Sequence, residues 1–267
     1  MKRDVSAYLD IAVHAPAALQ LQLAVARQPG LELNESLALT LDGSEVVPRE
    51  VTGPNGGRIH VFDSGAGNLR VRYRATVLGA AQPEPVAAYD LAAYLRPSRF
   101  AESDKLLGFA WSEFGCGIGD PEMPARISAW VGRRIRYAPG SSGPMDGAVE
   151  TLLSGTGVCR DFSHLVVALL RAVGVPARVT SVYAPGCFPM DFHSVPEVYV
   201  DGVWRAFDPT GLAPRSAYVR IATGRDASDI AFLANHGSDI TVNCLSVTAF
   251  IDGPLPFDDF RLPTSIQ

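Results

Sequence analysis

The 267-residue sequence contains no apolar run near the roughly 18 residues that a membrane-spanning helix needs, so no membrane is expected as its solvent. It also contains no G-x-x-x-x-G-K-[ST] or G-x-G-x-x-G segment, which excludes the two commonest phosphate-cradling loops and leaves no expectation of a nucleotide cofactor. Basic residues do not dominate: Lys and Arg number 23 against 28 Asp and Glu, for a net charge of -5. A general electrostatic drive toward nucleic acid or an anionic membrane is therefore missing. Small basic clusters such as Arg133-Arg134-Ile135-Arg136 read as a solvated helical turn, without an accompanying aromatic-rich basic stripe. Cysteine is sparse. The four residues Cys116, Cys159, Cys187 and Cys244 form neither a CxxC pair nor a Cys/His ligand spacing, which argues against a zinc module and a disulfide framework. Cys159, Cys187 and His193 could be grouped as three metal ligands, but no fourth stands at a recognisable spacing, and no metal or other cofactor is expected. The opening residues, Met1 to Tyr8, run into a strand-like pattern with Asp4 and Asp10 in place of the apolar stretch of a secretion signal. A cytoplasmic location is the corresponding expectation.

What the chain does have is a 47% hydrophobic composition, enough to bury one sizeable core and a smaller satellite. Period-two runs dominate its beginning: Leu19, Leu21, Leu23, Val25; then Leu37, Leu39, Leu41; then Leu69, Val71, Tyr73, Ala75, Val77. Turn clusters such as Gly53-Pro54-Asn55-Gly56-Gly57 separate them, so residues 1–82 are expected to form a small all-β sandwich. Pro83-Glu84-Pro85 reads as a linker. Residues 86–267 mix patterns, with a helical stretch at about 121–136, a second helix after residue 159, and strands at 177–183, in a hairpin around residue 201, and at 240–251. The expected class is α+β, with helices packed on an antiparallel sheet in this second region.

Chemistry concentrates in three stretches: Gly157-Val158-Cys159-Arg160-Asp161-Phe162, Phe192-His193-Ser194-Val195-Pro196-Glu197-Val198-Tyr199 and Trp204-Arg205-Ala206-Phe207-Asp208-Pro209-Thr210. Phe162, Leu165, Val166, Leu169, Leu170 and Val173 recur at i, i+3, i+4, i+7, which marks an amphipathic helix ended by Gly174 and Pro176. Cys159 begins it on the same face as Phe162 and Val166, so its sulfur points inward at a helix N-terminus, where a thiol is readily activated. His164 lies roughly 140° around the helix and is poorly placed to serve this thiol. Asp161, in the first turn, reads as a dipole-compensating carboxylate without a chemical role.

Asp201-Gly202 between Val198-Tyr199-Val200 and Val203-Trp204 is a type I′ hairpin signal. It pairs residue 200 with 203, and extending the ladder brings His193 and Asp208 onto one face as diagonal neighbours, about 7 to 8 Å apart at the backbone. An imidazole can reach a carboxylate across that gap. Pro196 removes one ladder donor and could introduce a bulge.

These three stretches resemble the transglutaminase-like superfamily, in particular its bacterial members described as cysteine proteases with a papain-like core. That family carries G-V-C-R-D-F-[AS]-H at a helix start, then an H-A-W-V-E-V-Y strand and an A-F-D-P-T strand. The resemblance also extends through Tyr137-Ala138-Pro139-Gly140 and Gly224-Arg225-Asp226-Ala227, so it covers roughly residues 90–250. It implies Cys159 as nucleophile, His193 as base and Asp208 as the residue orienting the imidazole. The second stretch departs from the pattern: Val195 replaces the tryptophan two places after the histidine, and Pro196 follows. The wall beside His193 is expected either to be open or to be filled by another side chain.

Taken singly, each residue has a plainer reading: Cys159 as core packing, His193 as a strand residue, Asp208 as a turn former and Cys187 as a partly exposed loop thiol. Their order and shared hairpin face favour covalent acyl transfer on a protein or peptide amide through a thioester. The Cys159 backbone N–H is a candidate oxyanion donor. Hydrolysis is favoured over crosslinking because no D-x-[DN]-x-[DN]-G carboxylate cluster suggests calcium gating. The alternative is a non-catalytic binding or scaffold module that retains the fold.

Overall fold

The computed structural model describes residues 1–83 and 85–266, so the linker expected at Pro83-Glu84-Pro85 is described only at its two prolines, both exposed and outside regular structure. In chain order, the all-β beginning comprises β1 (Lys2–Val13), β2 (Ala17–Leu21), β3 (Leu31–Leu41), β4 (Ser44–Val46), β5 (Arg49–Thr52), β6 (Arg58–Ser64) and β7 (Gly67–Gly79). The mixed region follows as α1 (Ala88–Ala93), α2 (Leu107–Phe114), α3 (Met123–Arg134), β8 (Arg136–Tyr137), α4 (Ala148–Ser154), β9 (Thr156–Gly157) and α5 (Cys159–Ala172). It continues through β10 (Ala177–Tyr183), β11 (Phe192–Val200), β12 (Val203–Ala206), β13 (Val219–Gly224), α6 (Ala227–Ile230), β14 (Leu233–His236) and β15 (Ile240–Ile251). The class is α+β, with an all-β region followed by helices packed on a sheet.

Alternation along β1 and β7 puts Val5, Leu9 and Ile11 on the buried face with Leu69, Val71 and Tyr73, while their neighbours face outward. These strands belong to a sheet ordered β15-β1-β7-β3-β4, and a second sheet ordered β14-β2-β6-β5 contributes Leu19 and Leu21 to the same apolar cluster.

One expectation is corrected here. Residues 240–251 do not join the sheet of the mixed region. Strand β15 pairs antiparallel with β1, from Arg3 against Ile251 to Val13 against Ile240. Leu233 of β14 likewise pairs with Leu21 of β2. Without β15, the edge of the long, half-buried β1 would present a row of unpaired N–H and C=O groups, and the returning strand satisfies them. Period-two patterning marks 240–251 as a strand but does not name its partner.

The sheet of the mixed region is ordered β12-β11-β10-β13, all antiparallel. Helix α5 lies against it and is buried from Asp161 through Ala172, so its expected amphipathic face is wrapped on all sides by α2, α3, α4 and the sheet. Backbone bonds tie the two regions together: Ala26 N–H donates to the Arg220 carbonyl at 2.8 Å, and Gln22 N–H to that of Phe232 at 3.0 Å. Among the described residues, no helix is long and apolar enough to cross a membrane.

Candidate active site

Cys159 opens α5 and is half-buried, as its position at the start of the apolar face dictates. Two features hold this helix start. The Asp161 carboxylate folds back so that its Oδ2 accepts the Val158 N–H at 2.8 Å, while its Oδ1 accepts the Ser142 hydroxyl at 2.8 Å. Gly157 leaves room for that fold-back, because a Cβ there would lie 2.7 Å from the Asp161 Cβ. Asp161 is thus a helix-capping residue, as its first-turn place suggests. Being first in the helix, the Cys159 N–H has no intrahelical acceptor. It faces the Tyr137 hydroxyl, whose pKa is raised by burial and by the Cys159 and Cys187 sulfurs, the Cys159 amide partly offsetting this.

His193 and Asp208 are placed by the hairpin. Asp201 and Gly202 have φ of +51° and +82°, the type I′ conformation, and Val200 pairs with Val203 and Glu197 with Ala206 in the expected register. The Phe207 N–H donates to the Pro196 carbonyl at 3.0 Å, carrying the two strands' association one step beyond β12. Pairing of β11 with β10 runs unbroken from Val198 to Phe192, so Pro196 introduces no bulge there. The outcome is a buried contact of 2.8 Å between His193 Nε2 and Asp208 Oδ2.

Asp208 is held from every side. Its Oδ1 accepts the Thr210 N–H at 2.8 Å and the Thr210 hydroxyl at 2.6 Å, and its Oδ2 accepts the Tyr218 hydroxyl at 2.6 Å. Burial alone would raise its pKa, but the charge of His193 and these donors bring it down to about 2. Burial likewise works against a charged His193, yet the Asp208 carboxylate, its hydrogen bond and the Cys159 sulfur raise the imidazole well above its ordinary value. The pair is therefore imidazolium and carboxylate near neutral pH. With Nε2 on Asp208, Nδ1 remains for the thiol.

The three residues singled out from sequence thus converge. His164 does not join them: it is fully buried, stacks on Phe100 at 5.4 Å, and accepts the Ala227 N–H at its Nε2. Burial lowers its pKa to about 3, so it is neutral. Two other expectations are settled. Cys187 is buried and not partly exposed; its Sγ contacts the Pro189 carbonyl at 3.6 Å, and its side chain packs in a cluster with Val182, Val195 and Tyr218. Val195 is fully buried in a small cluster with Val182, Cys187, Tyr218 and Ile266, so the space beside it is filled and not open. Tyr218 went unnoticed because a lone tyrosine 10 residues past the aspartate carries no spacing signal. Thr210, by contrast, stands in the third stretch itself.

A cavity of about 370 Å³ adjoins the sulfur and imidazole and is lined in part by Phe192, Ser194, Ile230 and Phe232.

Comparison with known proteins agrees with this architecture. Residues 118–209 match the profile of the transglutaminase-like superfamily, a span that contains Cys159, His193 and Asp208. A solved structure from Cytophaga hutchinsonii, described as a "putative cysteine protease", superposes with a TM-score of 0.86 at 29% identity, covering 97% of this chain and 94% of that one. An uncharacterized protein of Mycobacterium leprae is 29% identical over 111 residues, covering 38% of this chain and 39% of that protein. An uncharacterized protein of Mycobacterium bovis is 27% identical over 184 residues, covering 55% and 59% respectively. The chain thus spans between two fifths and three fifths of the length of these curated relatives. Residues 118–209 thus carry a core similar to the transglutaminase-like superfamily, and the fold as a whole is similar nearly end to end to the Cytophaga structure.

Proposed function

We propose that the protein is a thiol-dependent acyl-transfer enzyme that cleaves peptide-type or isopeptide-type amides. Cys159 is the nucleophile, His193 the proton carrier and Asp208 the residue that fixes the imidazole. The observation that carries this reading is the fully buried 2.8 Å pair of His193 Nε2 and Asp208 Oδ2, with the ring also acted on by the Cys159 sulfur at a helix start. A buried ion pair is costly to desolvate, and one that leaves its second ring nitrogen facing a half-buried thiol serves proton transfer better than packing.

In this mechanism the Cys159 sulfur attacks the amide carbonyl carbon, forming an S–C bond. The oxygen takes the charge against the Cys159 N–H. Collapse breaks the C–N bond while the imidazolium of His193 gives its proton to the departing amine. Water then attacks the thioester, loses a proton to His193, and releases acid and thiol. Hydrolysis is favoured over amine transfer because the sequence carries no calcium-loop pattern that would gate a crosslinker.

The reading is tested by alkylation with iodoacetamide at pH 6, followed by peptide mass mapping. Cys159 should react at least tenfold faster than Cys116 and Cys244, which are exposed, and Asp208→Asn should slow it. Equal rates at the three thiols would favour the binding-module alternative.

A further inference from the structure

The cavity beside the catalytic pair is built by both regions of the fold. From the mixed region come Phe192, immediately before His193, and the buried Ile221 and Ile230. From the sandwich come Leu233 of β14 and Leu245 of β15, whose strands pair with β2 and β1. Phe232 joins the two parts: its ring stacks on Phe192 with centroids 5.2 Å apart, and its carbonyl accepts the Gln22 N–H. Apart from the His193 imidazolium, charge is confined to two of the lining residues, Arg160 and Asp191. The Arg160 guanidinium is already engaged by Ser142, the Gly143 carbonyl and Asp161.

Two features separate this cavity from an ordinary packing defect. Its volume of about 370 Å³ falls within the range of about 300 to 1,000 Å³ that ligand clefts occupy. Two of its lining residues, Ser181 and Ser194, are paired across β10 and β11, are each only 8% exposed, and have hydroxyls without a hydrogen-bond partner among the described residues. Buried hydroxyls are normally paired, and since these two oxygens are closed to solvent, a bound chain offering carbonyl oxygens would pair with them once the side chains turn toward the cavity.

We infer that this cavity receives a large uncharged side chain, aromatic or branched aliphatic, flanking the scissile carbonyl of the substrate, and that the sandwich strands β14 and β15 set this preference. The inference rests on the acyl-transfer reading above. It gives the all-β region a role at the site: Leu233 and Leu245 form the wall against which the flanking side chain packs, and a carboxylate or ammonium set against that wall would lose hydration that the leucines cannot replace.

The test uses the full chain and N-acetyl aminoacyl chloromethyl ketones with Phe, Leu, Ala, Glu or Lys next to the ketone. In these probes the sulfur displaces chloride, forming an S–C bond as the C–Cl bond breaks. For each probe the rate at Cys159 is divided by that of iodoacetamide on the same variant, which removes any change in thiol reactivity. The Phe and Leu probes should exceed Ala by tenfold or more, and Glu and Lys by more. Leu245→Glu should reduce the Phe-to-Lys ratio at least tenfold. Should that variant unfold by circular dichroism, Leu245→Trp, which narrows the cavity with an apolar group, should reduce the Phe-to-Ala ratio in its place. Rapid iodoacetamide labelling of Cys159 with equal rates for all five probes, or ratios unmoved by the Leu245 substitutions, would overturn the inference and leave the acyl-transfer reading standing. A Cys159 no more reactive than Cys116 would overturn both.

Discussion

The Tyr218 hydroxyl donates to Asp208 at 2.6 Å, on the same carboxylate oxygen that meets His193 Nε2. The Tyr218 hydroxyl thus acts on the imidazole through the aspartate, while its ring stands edge-on to His193 with centroids 5.7 Å apart, a contact that phenylalanine would keep. Replacing it by Phe removes one of four donors from a carboxylate that keeps His193 and both Thr210 contacts. A net hydrogen bond of about 1 kcal/mol predicts a fall of roughly tenfold or less in kcat, with KM unchanged, in steady-state amide hydrolysis.

Asp208→Asn should act more strongly, lowering kcat by roughly 10³-fold or more while circular dichroism stays native, through loss of tautomer and charge control. It should also change the pH profile. His193 has its folded pKa raised, so its contribution to stability is full below its unfolded value near 6.5 and is lost as pH rises through the higher folded value. Removing the carboxylate takes away much of that elevation. The alkaline limb of kcat/KM should move toward acid by about one pH unit or more, and an unmoved limb would mean that another group titrates there.

Glu197 tests the buried charges behind the site. Its carboxylate is 1% exposed and pairs with Arg178 at 2.9 Å and Arg220 at 2.6 Å. Burial would raise its pKa, but the two guanidinium groups hold it far below the ordinary carboxylate range. A depressed folded pKa contributes stability above the unfolded value near 4.3, and that contribution is lost as pH falls. Glu197→Gln leaves two cations short of a counter-charge and should cost about 3 to 5 kcal/mol at pH 7. In urea titrations its stability should fall less steeply than the wild type's below about pH 4.

Val195→Trp should destabilise the chain by roughly 1 to 3 kcal/mol or more, read as a lower urea midpoint, because an indole has to displace Tyr218, Cys187 or Ile266 from a filled cluster. A variant with wild-type stability and an altered KM would show that this space yields.

Gly157→Ala should lower stability by about 0.5 to 2 kcal/mol, since its Cβ would press on Asp161 and disrupt the cap over the Val158 N–H. Alkylation of Cys159 should slow in parallel, because the same cap sets where α5 begins.

Much of the site is legible in the sequence because it is built from local rules. Asp201-Gly202 determines a turn type, the turn determines the register, and the register carries His193 toward Asp208. Gly157 and Asp161 mark where α5 must start. The parts that were not legible depend on long-range partners. Alternation in 240–251 shows which side chains face inward, but not that the strand seeks β1. Val195 reads as a missing wall until Ile266 and Tyr218 are seen to fill the space around it. Cys187 reads as a loop thiol because loop residues have no periodicity from which burial can be inferred.

The return of β15 to β1 also bears on how the chain reaches this state. The Ser6 and Thr248 hydroxyls meet at 2.7 Å across a sequence separation of 242 residues. Contacts that remote are entropically costly to form early, so this pairing belongs to the late stages of folding. During synthesis the β1 edge has to wait unpaired until residues 240–251 have left the ribosome. The thiol helix and the hairpin are made well before that strand arrives. On the proposed reading, a chain stopped before residue 233 would hold Cys159, His193 and Asp208 without Leu233 and Leu245, the wall proposed to choose what the cysteine meets.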